Sequence, residues 1–166
     1  MRSTLMQVLV VSVCLMLVVG VAQAQTPQTP KPLAGVKTVQ VDPTVVSNAD
    51  KVKEEQAPNQ VADSLRNALK DANFEIGEAP IRAHIVLDEF TSGSAAKRFT
   101  VGFGAGRSTV DCRLVIQDSE GKELVSRRIR VRGNLAFSPY QGNNTQRRQA
   151  VTSFEQKLIE EIEKLK

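Results

Sequence analysis

The chain has 166 residues, with 22 Lys and Arg against 18 Asp and Glu, 41% hydrophobic residues, no Trp and one Tyr. That length holds one ordinary domain and is short for two. The small positive balance would not by itself hold a protein on a polyanion in salt, and the scarcity of Trp and Tyr argues against an aromatic sugar-binding platform.

The first 24 residues read as a cleavable signal peptide. Met1-Arg2-Ser3 is a short basic start, Leu5 to Val21 is an apolar run, and Ala22-Gln23-Ala24 is the small-x-small pattern before a signal peptidase cut. Left uncleaved, the run falls slightly short of the ~20 apolar residues of a spanning helix. Cleavage removes one charge, Arg2, and leaves 21 Lys and Arg against 18 Asp and Glu, a net charge of +3. Cys14 lies mid-run behind Val13, which does not fit a lipobox, so lipidation there is not expected. Cys112 is then the one cysteine of the mature chain, and no internal disulfide can form. The expected location is outside the cytoplasm, periplasmic or envelope-associated, with secretion left open. No later segment is apolar enough to span a bilayer.

Residues 25–35 form a Pro-rich tether, and residues 36–166 a single domain. Val39 and Val41 alternate in a first strand from Val36 to Val41, stopped by Asp42-Pro43. Ser47 to Gln56 is polar and ambiguous. Beyond Pro58, the spacing of Val61, Leu65, Ala68, Leu69 and Ala72 predicts a helix ending near Asn73. From Ile81 to Phe90, Ile81, Ala83, Ile85 and Leu87 share one strand face, and Arg82, His84, Val86 and Asp88 the other. Phe99 to Asp118 is a long extended stretch in which Cys112 keeps phase with Val110, Leu114 and Ile116 and reads as a buried small hydrophobe. Asp118-Ser119-Glu120-Gly121 closes a hairpin, and Lys122 to Gly133 returns with Val125, Ile129 and Val131 inward and Arg128, Arg130 and Arg132 outward. Residues 135–145 are a loop. Val151, Phe154, Leu158, Ile162 and Leu165 mark a final helix over about 146–165. The expected fold is α+β, a two-layer sandwich of order β-α-β-β-β-α. Its four-stranded, mostly antiparallel sheet has two helices on one face and the other face open.

The most specific internal segment is Lys97-Arg98-Phe99-Thr100-Val101-Gly102-Phe103-Gly104-Ala105-Gly106. A dinucleotide loop needs a third glycine where Arg107 stands and a helix where Thr109 to Gln117 continues as strand. A Walker loop needs Gly-Lys-Ser/Thr. Gly102, Gly104 and Gly106 instead leave one strand face bare, which permits a bulge or the close approach of another backbone, or offers a docking strip. Together with the alternating strand Ala83 to Phe90, the Gly93-Ser94 turn, the charged strand Thr109 to Ile116 and the Asp118 to Lys122 hairpin, this segment resembles the bacterial family called domain of unknown function 4410. The resemblance covers about Ala83 to Arg132 and the flanking helices by layout. It implies an exported or lipid-anchored envelope protein, and it transfers no catalytic residue. The chain departs from the lipid-anchored members in lacking a lipobox.

No enzyme is expected. His84 is the one histidine, too little for a His-based metal centre, and Cys112 is out of phase with it. Asp88 and Glu89 are adjacent in a strand and expected on opposite faces, so they form no carboxylate pair. No G-x-S-x-G elbow occurs, and no cofactor is implied. The basic cluster is the stronger lead: Arg127, Arg128, Arg130 and Arg132 on one strand, with Lys97, Arg98, Arg107 and Arg113 on its neighbour or the approach to it. One reading is a solvated ladder neutralised by Asp88, Asp111 and Glu123. The other is a face that docks an envelope protein or an anionic lipid or polysaccharide. The sheet lacks the stacking aromatics of an RNA platform, and export argues against nucleic acid. Arg113, Arg128, Arg130, Arg132, Lys97, Arg98 and the glycines 102, 104 and 106 are thus the candidate binding residues of a non-enzymatic module. An alternative is a structural subunit that self-associates through the stripe of the last helix. The sequence leaves the oligomeric state open.

Overall fold

The computed structural model describes residues 31–91, 108–133 and 143–166. The signal peptide, residues 25–30 of the tether, and the glycine segment with Lys97 and Arg98 lie outside these. The elements are β1 (Thr38–Val41), β2 (Val45–Val46), a 3-10 turn (Ala49–Lys51), α1 (Ala57–Asp71), β3 (Glu75–Ile76), β4 (Arg82–Thr91), β5 (Thr109–Gln117), β6 (Glu123–Arg132) and α2 (Asn143–Lys164).

The sheet has six strands rather than the four expected, in the order β3-β1-β4-β5-β6, with β2 also on β4. The first crossover does set strands parallel, and β4-β5-β6 is the antiparallel meander. The additional strands are two residues each. β3 pairs parallel with β1, and β2 pairs parallel with β4. β1, β2 and an isolated bridge at Val52 run in sequence along the same flank of β4, opposite Arg82, Val86 and Phe90 respectively. The break between β1 and β2 falls at Pro43, which has no N–H for a ladder.

Periodicity explains the layers. Ala83, Ile85 and Leu87 of β4, Cys112, Leu114 and Ile116 of β5, and Val125, Ile129 and Val131 of β6 are buried on one face. Leu65, Ala68 and Leu69 of α1 join Phe154, Leu158 and Ile162 of α2 in the same cluster, so both helices cover that face. Ser64 Oγ donates to Glu155 Oε1 across the helix pair at 3.0 Å. α1 ends in a Schellman turn: Asn73 is left-handed (φ 64), and Asn73 N–H and Phe74 N–H donate to Lys70 O and Leu69 O. The β5–β6 hairpin closes as read, with Gly121 at φ 82 and the Asp118 carboxylate accepting from the N–H groups of Glu120 and Lys122.

Two expectations change here. The tether's last residues belong to the domain: Leu33 is buried in the core, and its N–H donates to Leu165 O at 3.0 Å. A single leucine among prolines gives no periodicity, yet it covers the end of α2. The apolar stripe of α2 is also spent inside the chain. Phe154, Leu158, Ile162 and Leu165 are all buried and Val151 is partly buried, so the greater part of this stripe is not presented to a second copy.

Candidate anion-binding face and its edge

The face of the sheet away from the helices collects the candidate arginines. A β-bulge between Leu87 and Glu89 adds one residue to β4, and the added residue overturns the expectation that Asp88 and Glu89 point to opposite sides. Phe90 keeps its place in the core, and both carboxylates reach arginines of the open face, Asp88 to Arg113 at 3.5 Å and Glu89 to Arg130 at 3.8 Å. Asp88 also accepts a short hydrogen bond from Ser47 Oγ of the segment after β2.

Asp111 is the centre of the cluster. It stands opposite Arg130 in register and diagonal to Arg128. Arg128 grips it with two hydrogen bonds, Nε to Oδ1 at 3.0 Å and Nη2 to Oδ2 at 2.8 Å, and Arg130 Nε lies 3.3 Å from Oδ2. The Asp111 side chain is 5% exposed and that of Arg128 65%. The hydrogen bond from Arg128 holds the Asp111 carboxyl below its ordinary value, burial opposes this, and Arg128, Arg130 and Lys51 add attraction. The same hydrogen bond raises the Arg128 guanidinium further above its usual range. Arg132 stands opposite Thr109 and makes no ion pair among the described residues.

The structure therefore brings Arg113, Arg128, Arg130 and Arg132 together and threads them with three acids. Of the acids expected to neutralise the ladder, Asp88 and Asp111 do so, and Glu89 acts where Glu123 was expected. Sequence reasoning missed Glu89 because a bulge without a glycine leaves no mark on the chain. It also missed Lys157 of α2, whose Nζ reaches the backbone O of Arg130 at 3.5 Å. Lys97, Arg98, Gly102, Gly104 and Gly106 lie outside the described residues.

The remaining reactive groups stand apart. His84 is half-buried at the other end of the open face, and burial lowers its pKa, with Arg82 assisting and Asp42 and Glu123 opposing. Cys112 is buried and its thiol is pushed far up by desolvation. Among the described residues, no cluster of three or more His, Cys, Asp or Glu could hold a metal ion, and no helix is long and apolar enough to cross a membrane.

A family model described as Domain of unknown function (DUF4410) matches residues 34–127, more than half of the chain. The chain belongs to the DUF4410 family. The match spans β1 through the first half of β6 and so contains Asp111, Arg113 and the bulge, while Arg128, Arg130 and Arg132 lie just beyond it. Among solved structures, the PelC dodecamer from Paraburkholderia phytofirmans is similar at a TM-score of 0.52 and 14% identity, over 80% of this chain and 89% of that one. A single-substitution form of the same dodecamer scores 0.52 at 13% identity, over 78% and 85%. An uncharacterized protein scores 0.50 at 9% identity, over 78% and 92%. At such identities the likeness shows the fold. No curated protein matches the chain.

Proposed function

We propose that this DUF4410 domain is an exported, envelope-associated module that works by binding, without catalysis, and docks an anionic component through Arg113, Arg128, Arg130 and Arg132. The observation that carries the reading is the contrast in exposure across the Arg128–Asp111 pair: the carboxylate is buried and the guanidinium is in solvent. A bidentate grip uses two of the five N–H donors of a guanidinium. Asp111 thus fixes the arginine in place without consuming it. A positioned cation loses less freedom on binding than one on a loose side chain. Export is supported by the basic start, apolar run and Ala22-Gln23-Ala24 of the first 24 residues.

The test is co-sedimentation of the mature chain, from Gln25, with anionic vesicles and with isolated cell-wall material across a salt series. Binding that fades with salt is expected. A variant carrying Arg128→Gln, Arg130→Gln and Asp111→Asn removes the cluster without stranding a buried carboxylate. It should stay folded by circular dichroism and lose the binding. Equal binding by that variant, or no binding at low salt, would reject the reading.

A second reading, assembly of copies, draws on the PelC structures being dodecamers. It would have to use a surface other than the buried stripe of α2. Sedimentation equilibrium of the mature chain tests it: a mass that rises with concentration favours assembly, and a constant monomer mass excludes it.

A further inference from the structure

We infer that the free edge of β6 is a docking site for an extended acidic peptide, which joins the sheet as an added strand with its carboxylates over Arg128, Arg130 and Arg132. The inference rests on the reading of this face as anion-binding and names the partner class as a peptide strand.

The backbone supplies the template. Gly133 N–H donates to Ser108 O at 2.8 Å, so the odd-numbered residues of β6 bond inward to β5 and the even-numbered ones turn their N–H and C=O groups to the edge. Arg130 O accordingly accepts from Lys157 Nζ, at the long distance of 3.5 Å. Ser126, Arg128, Arg130 and Arg132 therefore carry outward-facing backbone groups, and among the described residues no strand pairs with them. The two margins of the sheet differ. β6 runs for ten residues without a proline, whereas the other margin is divided into the two-residue strands β2 and β3.

Side chains decide the occupant. On an antiparallel strand the residues at these outward positions place their side chains on the open face, where the arginines are. A second copy of β6 pairing about Arg130 would set Arg130 against Arg130 and Arg128 against Arg132, and like charges directly opposite destabilise a ladder. The short strands of the far margin are too brief to match four edge positions. An incoming strand with Asp or Glu at alternate residues meets neither obstacle. β5 already shows the arrangement from the inner side, since Asp111 sits opposite Arg130 and binds both it and Arg128. Arg132, with no ion pair among the described residues, is left for the outer strand. Main-chain bonds would give the affinity and the alternating carboxylates the selectivity.

The experiment uses the mature chain and a fluorescein-labelled peptide, Thr-Glu-Val-Glu-Val-Glu-Val-Thr-Thr, blocked at its far end, whose eighth residue stands opposite Ser126. Two further forms carry N-methyl groups, one on the Glu nitrogens and one on the Val nitrogens. Glu residues opposite the arginines would turn their N–H groups to β6, and Val residues would turn theirs away. The unmodified and Val-methylated peptides should bind, the Glu-methylated peptide at least tenfold more weakly, and hydrogen exchange at the Arg128 and Arg130 amides should slow. Equal binding of all three would overturn edge docking and leave the charged face standing. Binding of none would also overturn it, while the vesicle and cell-wall assay judges the face independently. A Ser126→Pro variant, which removes an outward N–H and leaves the arginines, should weaken the peptide and not the vesicles. Equal weakening of both would count against the edge.

Discussion

Leu158→Ala separates a helix stripe used inside the chain from one used between copies. Leu158 is fully buried in the C-terminal half of α2, flanked along the stripe by Phe154 and Ile162. Alanine is three carbons shorter, and at ~0.8 kcal/mol per buried carbon the lost transfer energy is about 2.4 kcal/mol. The sheet on one side and α1 on the other limit collapse, so a cavity cost brings the total to about 3–4 kcal/mol. That is a large share of the ~5–15 kcal/mol that holds a domain of this size. Urea unfolding of the mature chain followed by circular dichroism, at two protein concentrations about a hundredfold apart, reads the effect. The loss should be the same at both, and Gln156→Ala, on an exposed position of the same helix, should stay within about 0.5 kcal/mol. A loss below about 1 kcal/mol would refute the packing argument. So would a wild-type midpoint that climbs with concentration and ceases to do so in the variant.

A chain beginning at Val36 should be about 2–4 kcal/mol less stable in urea than one beginning at Lys31, since it forfeits the burial of Leu33 and its bond to Leu165; equal midpoints would place residues 31–35 outside the domain. Asp111 titrates below its ordinary 3.8 in the fold, so the unfolded chain takes up the proton first as pH falls. Its contribution is complete above 3.8 and is lost as pH drops through the folded value. Arg128→Ala should raise the Asp111 midpoint seen by carbon-detected NMR, and an unmoved midpoint would show that the bidentate pair does not set it. Cys112 should resist iodoacetamide in the native state and react freely in denaturant, because burial both hides the thiol and disfavours the thiolate; rapid native labelling would contradict its place in the core.

Strict alternation was the most readable signal. In β5 and β6 it placed Cys112, Leu114, Val125, Ile129 and Val131 in the core and Arg113, Arg128, Arg130 and Arg132 outside, as the structure does. The helical spacing of Leu65 and Leu69, and of Phe154, Leu158 and Ile162, likewise located the covering layer. What escaped lacks a period. β2 and β3 are too short to alternate, and they are strands because β4 and β1 offer bonding partners. Leu33 is one contact in a proline-rich stretch. The bulge at Leu87/Glu89 depends on pairing with β5, so the local sequence holds no trace of it. For the site, residue types and face were legible, and Asp111 was among the acids considered. Its depth, and its hold on two arginines at once, required the third dimension.

The bond from Leu33 to Leu165 bears on when the domain can fold. Phe154, Leu158, Ile162 and Leu165 roof the sheet, and the first strand region is latched to the last of them. A chain emerging N-terminus first can pair β4 with β5 and β6 and lay α1 on their apolar face, but that face stays only partly covered until α2 has followed. A chain threaded through a membrane pore as an extended polymer would therefore remain unable to close, and free to keep moving, until α2 and Leu165 had passed.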